Sequence, residues 1–162
     1  MVEPAAEGLV KIRFELDPKD WKGLKSESLW ALEVRPAEYL IRNSPFYVYG
    51  ISAEDTVHTK SVDGIHRFAG VTKRGGHSTY RILLKDPQTI ESVEFRESWQ
   101  PLRDIGCTYE LAQKSWLSVD IPPAADISEA YWLLENGEST GIWTFEEAHC
   151  GHPVNKGDRA PR

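Results

Sequence analysis

Period two governs the first half of this chain. Val10, Ile12, Phe14 and Leu16 alternate with Lys11, Arg13 and Glu15, so the apolar set falls on one face of an extended segment. "SLWALEVRPAEYLIRNSPF" continues as two strands, with Trp30, Leu32 and Val34 alternating in the first. Arg35-Pro36-Ala37-Glu38 is the turn between them, because proline presets a turn dihedral. Pro45 and Gly50 bracket "FYVYG", which reads either as a connection or as a short strand. Asp63-Gly64 then separates two β-type runs and predicts a hairpin, since both residues tolerate positive φ. The first half is expected to be a curled antiparallel β unit over residues 9–78.

The pattern changes after Gly75-Gly76. "TYRILLK" is a strand, and "PQTIESVEFRESWQPLRDIG" predicts a helix that starts after Pro87 and stops at Gly106, with Pro101 kinking or splitting it. The rival reading there is a strand at "SVEFRES". "CTYELAQKSWLSVDIP" predicts a hairpin turning near Gln113 to Ser115. In "DISEAYWLLENG", Ile127, Ala130, Tyr131 and Leu134 share a helix face, Asp126 and Glu129 have capping-box spacing, and Gly137 stands where a helix ends. "GIWTFEEAHC" closes the set as a strand, Ile142 alternating to Thr144. Strand, helix, strand, strand, helix, strand is the order of a ferredoxin-like βαββαβ unit, with strand order 4-1-3-2 and both helices on one face. The expected class is therefore α+β: the curled N-terminal half followed by a ferredoxin-like C-terminal half over 79–150. Residues 1–8 and 151–162 are expected to be flexible tails.

Composition narrows the function. At 162 residues, 40% hydrophobic and 27% charged, the chain suits one soluble domain or two very small ones. A net charge of -6 argues against general nucleic-acid binding, which rests on phosphate neutralisation by Lys and Arg, and suits solubility or a basic protein partner. Two cysteines, Cys107 and Cys150, make no disulfide framework and suit a reducing cytoplasm. The start has no basic leader followed by an apolar run, and no stretch approaches a membrane span. No cofactor is expected.

Three phrases, "NSPFYVYGISAEDTVHTK", "RGGHSTYRI" and "GCTYELAQKSWLSVDIPP", together resemble a bacterial domain-of-unknown-function family, the one numbered 4265. The likeness runs from about Val10 to His152. It implies a bacterial cytosolic setting and carries over no catalytic residue.

The candidate chemistry begins at "RGGHSTYR". Gly75-Gly76 could cradle a phosphate, but the loops that do so lead into a helix, and here a strand follows. The plainer reading is a turn needing positive φ. The expected topology sets the start of "TYRILLK" beside the end of "GIWTFEEAHC", so His77 and Ser78 come near His149, Cys150 and His152, with Cys107 on the same sheet edge. His77, His149 and His152 are the candidate metal ligands, imidazole being a preferred zinc donor; the plainer reading is exposed histidines at strand ends. A second constellation is His77, Arg81 and Glu110, with His and Glu as acid and base on a phosphodiester and Arg stabilising the developing charge. Against it, Arg81 and Glu110 could form an ordinary cross-strand ion pair. Ser78 has no base and orienter in order, so a hydrolase triad is unsupported. Finally, Glu91, Glu94, Glu97, Asp104, Glu146 and Glu147 are candidates for an acidic face that captures a basic partner, such as a cationic nucleic-acid-cleaving toxin. The plainer reading is a solvated helix surface. The leading expectation is a small bacterial binding protein without catalytic activity, of immunity or regulatory type. The alternative is a small hydrolase or metal-dependent enzyme using the sheet-edge cluster.

Overall fold

The computed structural model describes residues 8–154. The ends of both expected tails, 1–7 and 155–162, lie outside the described residues. Strict alternation makes β1 (Leu9–Glu15), with Ile12 and Phe14 buried and Lys11 exposed. β1 pairs antiparallel with β2 (Ser26–Arg35), β2 with β3 (Glu38–Ile41), β3 with β4 (Thr56–Val62) and β4 with β5 (Ile65–Lys73). A short parallel pairing, Ile12 to His66 and Arg13 to Arg67, closes the five strands into a barrel. Ala37 at φ 63° makes the β2–β3 turn, and Asp63-Gly64, at φ 53° and 77°, makes the β4–β5 hairpin.

One face assignment is corrected. Leu29 and Ala31 point into the barrel, whereas Trp30 and Leu32 are half-buried and Val34 is exposed. "SLWALEV" is apolar in both phases, so alternation alone cannot choose. Pairing chooses: Leu29 lies opposite Ile12 and must share its face.

The second sheet comprises β6 (Ser78–Leu84), β7 (Thr108–Ala112), β8 (Trp116–Ile121) and β9 (Trp143–His149), in the order β7-β8-β6-β9 with every neighbour antiparallel. The segments 79–85 and 142–149 are thus neighbours, as expected. α1 (Val93–Asp104) and α2 (Ile127–Ser139) pack on one side, where Tyr80, Ile82, Leu117, Val119, Trp143 and Phe145 meet Phe95 and Leu102 of α1 and Ala130, Tyr131 and Leu134 of α2. On β9 the core face is Trp143 and Phe145, so Thr144 points outward and Ile142 packs only at the margin.

Two helix boundaries differ from expectation. The break before α1 falls at Ser92, not Pro101. A 3-10 turn over Pro87–Glu91 ends there, and Ser92 Oγ accepts from the Phe95 N–H at 3.0 Å as the cap of α1. Pro101 sits inside α1. Gly137 does not end α2; it is buried inside it, where a Cβ would strike the Trp143 ring. α2 runs on to Ser139, and Gly141, at φ 79°, follows the cap.

The opposite face of the second sheet is covered by residues 42–55, the connection from β3 to β4. "FYVYG" is part of this connection and not a strand. Buried Glu27 shapes it, accepting the N–H groups of Phe46, Tyr47 and Val48 at 2.7, 3.1 and 3.0 Å. The connection's own carbonyls then accept from the sheet: Pro45 from Ser118 Oγ at 2.7 Å, Phe46 from Trp116 Nε1 at 2.9 Å and Val48 from Arg81 Nη1 at 3.1 Å. Covered on both faces, β6 is buried from Ser78 to Ile82. This cover puts Thr79 and Arg81 in the interior.

Candidate functional site: the polar end of the second sheet

Gly75 and Gly76 link barrel to sheet, and each is required for a different reason. A Cβ on Gly75 would run into the carbonyl oxygen of Glu54, while Gly76 holds φ at 87°. The Gly75 N–H donates to Asp55 Oδ1 at 3.0 Å. Asp55 is wholly buried and also takes the Ser52 N–H at 3.0 Å and Arg74 Nη1 at 2.9 Å. The glycine pair is a turn whose first amide is already bonded to a carboxylate, and a strand follows it.

The next three residues fan out to three partners. His77 Nδ1 lies 2.9 and 3.0 Å from the two carboxylate oxygens of Asp120. Burial raises the Asp120 pKa, and the attraction of His77 offsets this only in part. Ser78, wholly buried, bonds into the segment after β9. Its Oγ lies 2.6 Å from His152 Nδ1 and accepts the N–H groups of Gly151 and His152 at 2.9 and 3.3 Å. His152 Nε2 is 2.9 Å from the Pro122 carbonyl. A carbonyl can only accept, so Nε2 carries the proton and Nδ1 receives the Ser78 hydroxyl. Thr79 faces the connection. Ser52 Oγ bridges Thr79 Oγ1 at 2.7 Å and His149 Nδ1 at 2.8 Å. Burial, then the charge of Arg74, lowers the His149 pKa, so the neutral ring is favoured.

The three candidate metal ligands therefore share one end of the sheet, but each imidazole has its own partner. Among the described residues no three His, Cys, Asp or Glu side chains are grouped so as to hold a metal ion. The expected picture of exposed histidines at strand ends also needs correcting, since His152 is only 8% exposed. Gly151 and His152 are tied to Ser78, so the expected loose tail does not begin at 151. Cys107 is buried, and burial with the nearby Asp120 charge pushes its thiol up to about 12.

His77, Arg81 and Glu110 do not converge. Across the sheet the register runs Glu110, Ser118, Arg81, Glu146, so Ser118 separates the first and third. Two strand spacings make that about 10 Å. The expected Arg81–Glu110 pair is corrected to Arg81–Glu146, with Nε to Oε1 at 3.0 Å. The Arg81 side chain is wholly buried, its guanidinium carbon 4.5 Å from the Tyr49 ring centroid and 5.5 Å from that of Trp21. Glu110 is exposed, and the desolvation its neighbours impose, with repulsion from Asp120, raises its pKa.

The acidic set also divides. Glu94, Glu97 and Asp104 lie on one stripe of α1, with Glu91 in the turn before it, and all four are exposed. Glu146 and Glu147 belong elsewhere. Glu146 holds Arg81 and accepts the Tyr49 hydroxyl at 2.8 Å, and Glu147 accepts the Tyr80 hydroxyl at 2.7 Å.

Sequence reasoning missed Glu27, Ser52, Asp55 and Asp120, the residues that organise this region. Each sits in ordinary strand or loop sequence and belongs to no motif. The one local signal is the three-residue spacing of Ser52 and Asp55, which suits a side chain accepting a nearby backbone N–H.

The fold is thus an α+β protein of two sheets, linked through Gly75-Gly76, in which the β3–β4 connection of the first packs on the polar face of the second. The chain belongs to the family described as "Domain of unknown function (DUF4265)", matched over residues 27–145. It is also similar to a solved structure titled "Novel crystal structure of a hypothetical protein from Neisseria gonorrhoeae", at 19% identity and a TM-score of 0.73, with 88% of this chain and 96% of that chain covered. At that identity the likeness shows the fold alone. No curated protein matches the chain significantly. Among the described residues no helix is long and apolar enough to cross a membrane.

Proposed function

We propose that this chain is a small bacterial binding protein without catalytic activity, an immunity-type or regulatory partner of a basic protein, with a ferredoxin-like second half. The strand order β7-β8-β6-β9 with both helices on one side supports the fold assignment. One observation carries the function. The side chains able to do chemistry at the sheet end are held by the protein itself, while the carboxylates of α1 are not. His152 has both ring nitrogens bonded and Arg81 is inaccessible. Glu91, Glu94 and Glu97 face water with no ion-pair partner among the described residues, and Asp104 accepts only from Gln100, at 2.7 Å. Unneutralised carboxylates on one helix stripe attract a cationic surface and speed its capture.

The test is stopped-flow association with a lysine- and arginine-rich peptide over a salt series. The on-rate should fall steeply as the screening length shrinks below about 8–10 Å, and a Glu94→Lys/Glu97→Lys/Asp104→Lys variant should lose capture. A rate indifferent to both salt and charge reversal rejects the reading. Turnover of bis(p-nitrophenyl) phosphate that His77→Ala abolishes would instead favour the hydrolase alternative.

A further inference from the structure

α1 carries a second stripe beside the acidic one. Arg96, Trp99 and Arg103 recur at helical spacing and look toward β7, the edge strand of the second sheet. Between helix and strand lies a groove of about 520 Å³, within the range of small-molecule sites. Its floor is aromatic. Trp99 meets Tyr109 edge-on at 4.8 Å and stacks parallel to Phe95 at 6.4 Å. Cys107 completes the floor as a neutral, buried thiol.

The rim is cationic. Arg35, Arg42, Arg67, Arg74 and Arg81 each pair with a carboxylate, but Arg96 and Arg103, like Arg13, have no ion-pair partner among the described residues. Seven residues of helix place the two about 10 Å apart along the axis, so long, flexible side chains can close on one anionic group from both ends.

We propose that this groove binds a small organic anion, its aromatic or branched apolar body against Trp99 and Tyr109 and its carboxylate, sulfonate or phosphate held by Arg96 and Arg103. The site is separate from the acidic stripe, so its failure would leave the capture of a basic partner standing. Aromatic walls supply the contact area and guanidinium groups the charge-assisted hydrogen bonds.

The probe is 8-anilinonaphthalene-1-sulfonate, read by fluorescence, with the uncharged N-phenyl-1-naphthylamine as control. The sulfonate should bind saturably at one site per chain. The Arg96→Gln/Arg103→Gln variant, altered only at exposed positions, should keep its melting temperature and bind the sulfonate at least about tenfold more weakly, the uncharged probe being unaffected. A lysine double variant should fall in between, retaining charge but not the planar fork. An unsaturable signal, or equal sulfonate affinity in the native and glutamine forms, overturns the proposal. So does an acidic extended peptide that protects the β7 amides from exchange and that the sulfonate does not displace, which would make the groove a strand-docking edge.

Discussion

Replacing Ser78 with alanine should release the segment that follows β9. The hydroxyl is wholly buried, donates to His152 Nδ1 and accepts two backbone N–H groups, from Gly151 and His152. Alanine fits the space but satisfies none of these. Each polar group left buried without a partner costs about 1–3 kcal/mol, so three would sum to several. Once undocked, the segment exposes these groups to water, which limits the loss to what its docking contributes. A net cost of about 2–3 kcal/mol follows. Urea unfolding at unchanged m-value measures it, and a double-mutant cycle with His152→Ala should give a coupling of at least about 1 kcal/mol. Amide exchange at 151 and 152 should accelerate in Ser78→Ala while exchange in β8 stays slow. A cost below about 0.5 kcal/mol with both amides still protected refutes the account of "GGHS" as an interior anchor, and reopens Ser78 as a group free for chemistry.

Other outcomes follow from the same geometry. Gly75→Ala should cost at least about 2 kcal/mol in urea unfolding, because the added Cβ meets backbone that must shift. Arg81→Met should cost about 2–3 kcal/mol by calorimetry, less than for a fully buried pair because Glu146 keeps some contact with water. His149 has its pKa lowered by burial and then by Arg74, so the unfolded chain takes up the proton first as pH falls. Its contribution is therefore retained above about 6.5, falls away below it and is fully lost once the pH has passed the lowered folded pKa, and His149→Gln should flatten this part of the pH–stability curve.

Much of the fold was legible because local chemistry and topology agree. Asp63-Gly64 admits positive φ at both positions, and the order of elements after Thr79 makes β6 and β9 neighbours. Harder to read was whatever depends on a distant segment. "SLWALEV" is apolar in both phases, and only Ile12 opposite Leu29 selects its inner face. Gly137 looks like a helix end until the Trp143 ring is set against it. The polar run at β6 resembles a site because alternation cannot reveal that residues 42–55 cover its second face. The density of carboxylates in the second half did point to an acidic face, but Glu146 and Glu147 had to be removed from it once their partners Arg81 and Tyr80 were known.

Two surfaces compete for a partner: the stripe of α1 and the polar end of the sheet. An ¹⁵N-edited NMR titration with the lysine- and arginine-rich peptide distinguishes them in one measurement. Capture by α1 predicts amide shift changes concentrated over 91–104, abolished by raising salt, with 77–79, 120 and 149–152 unmoved. Changes centred on His77, Asp120 and His152 with α1 silent would contradict it.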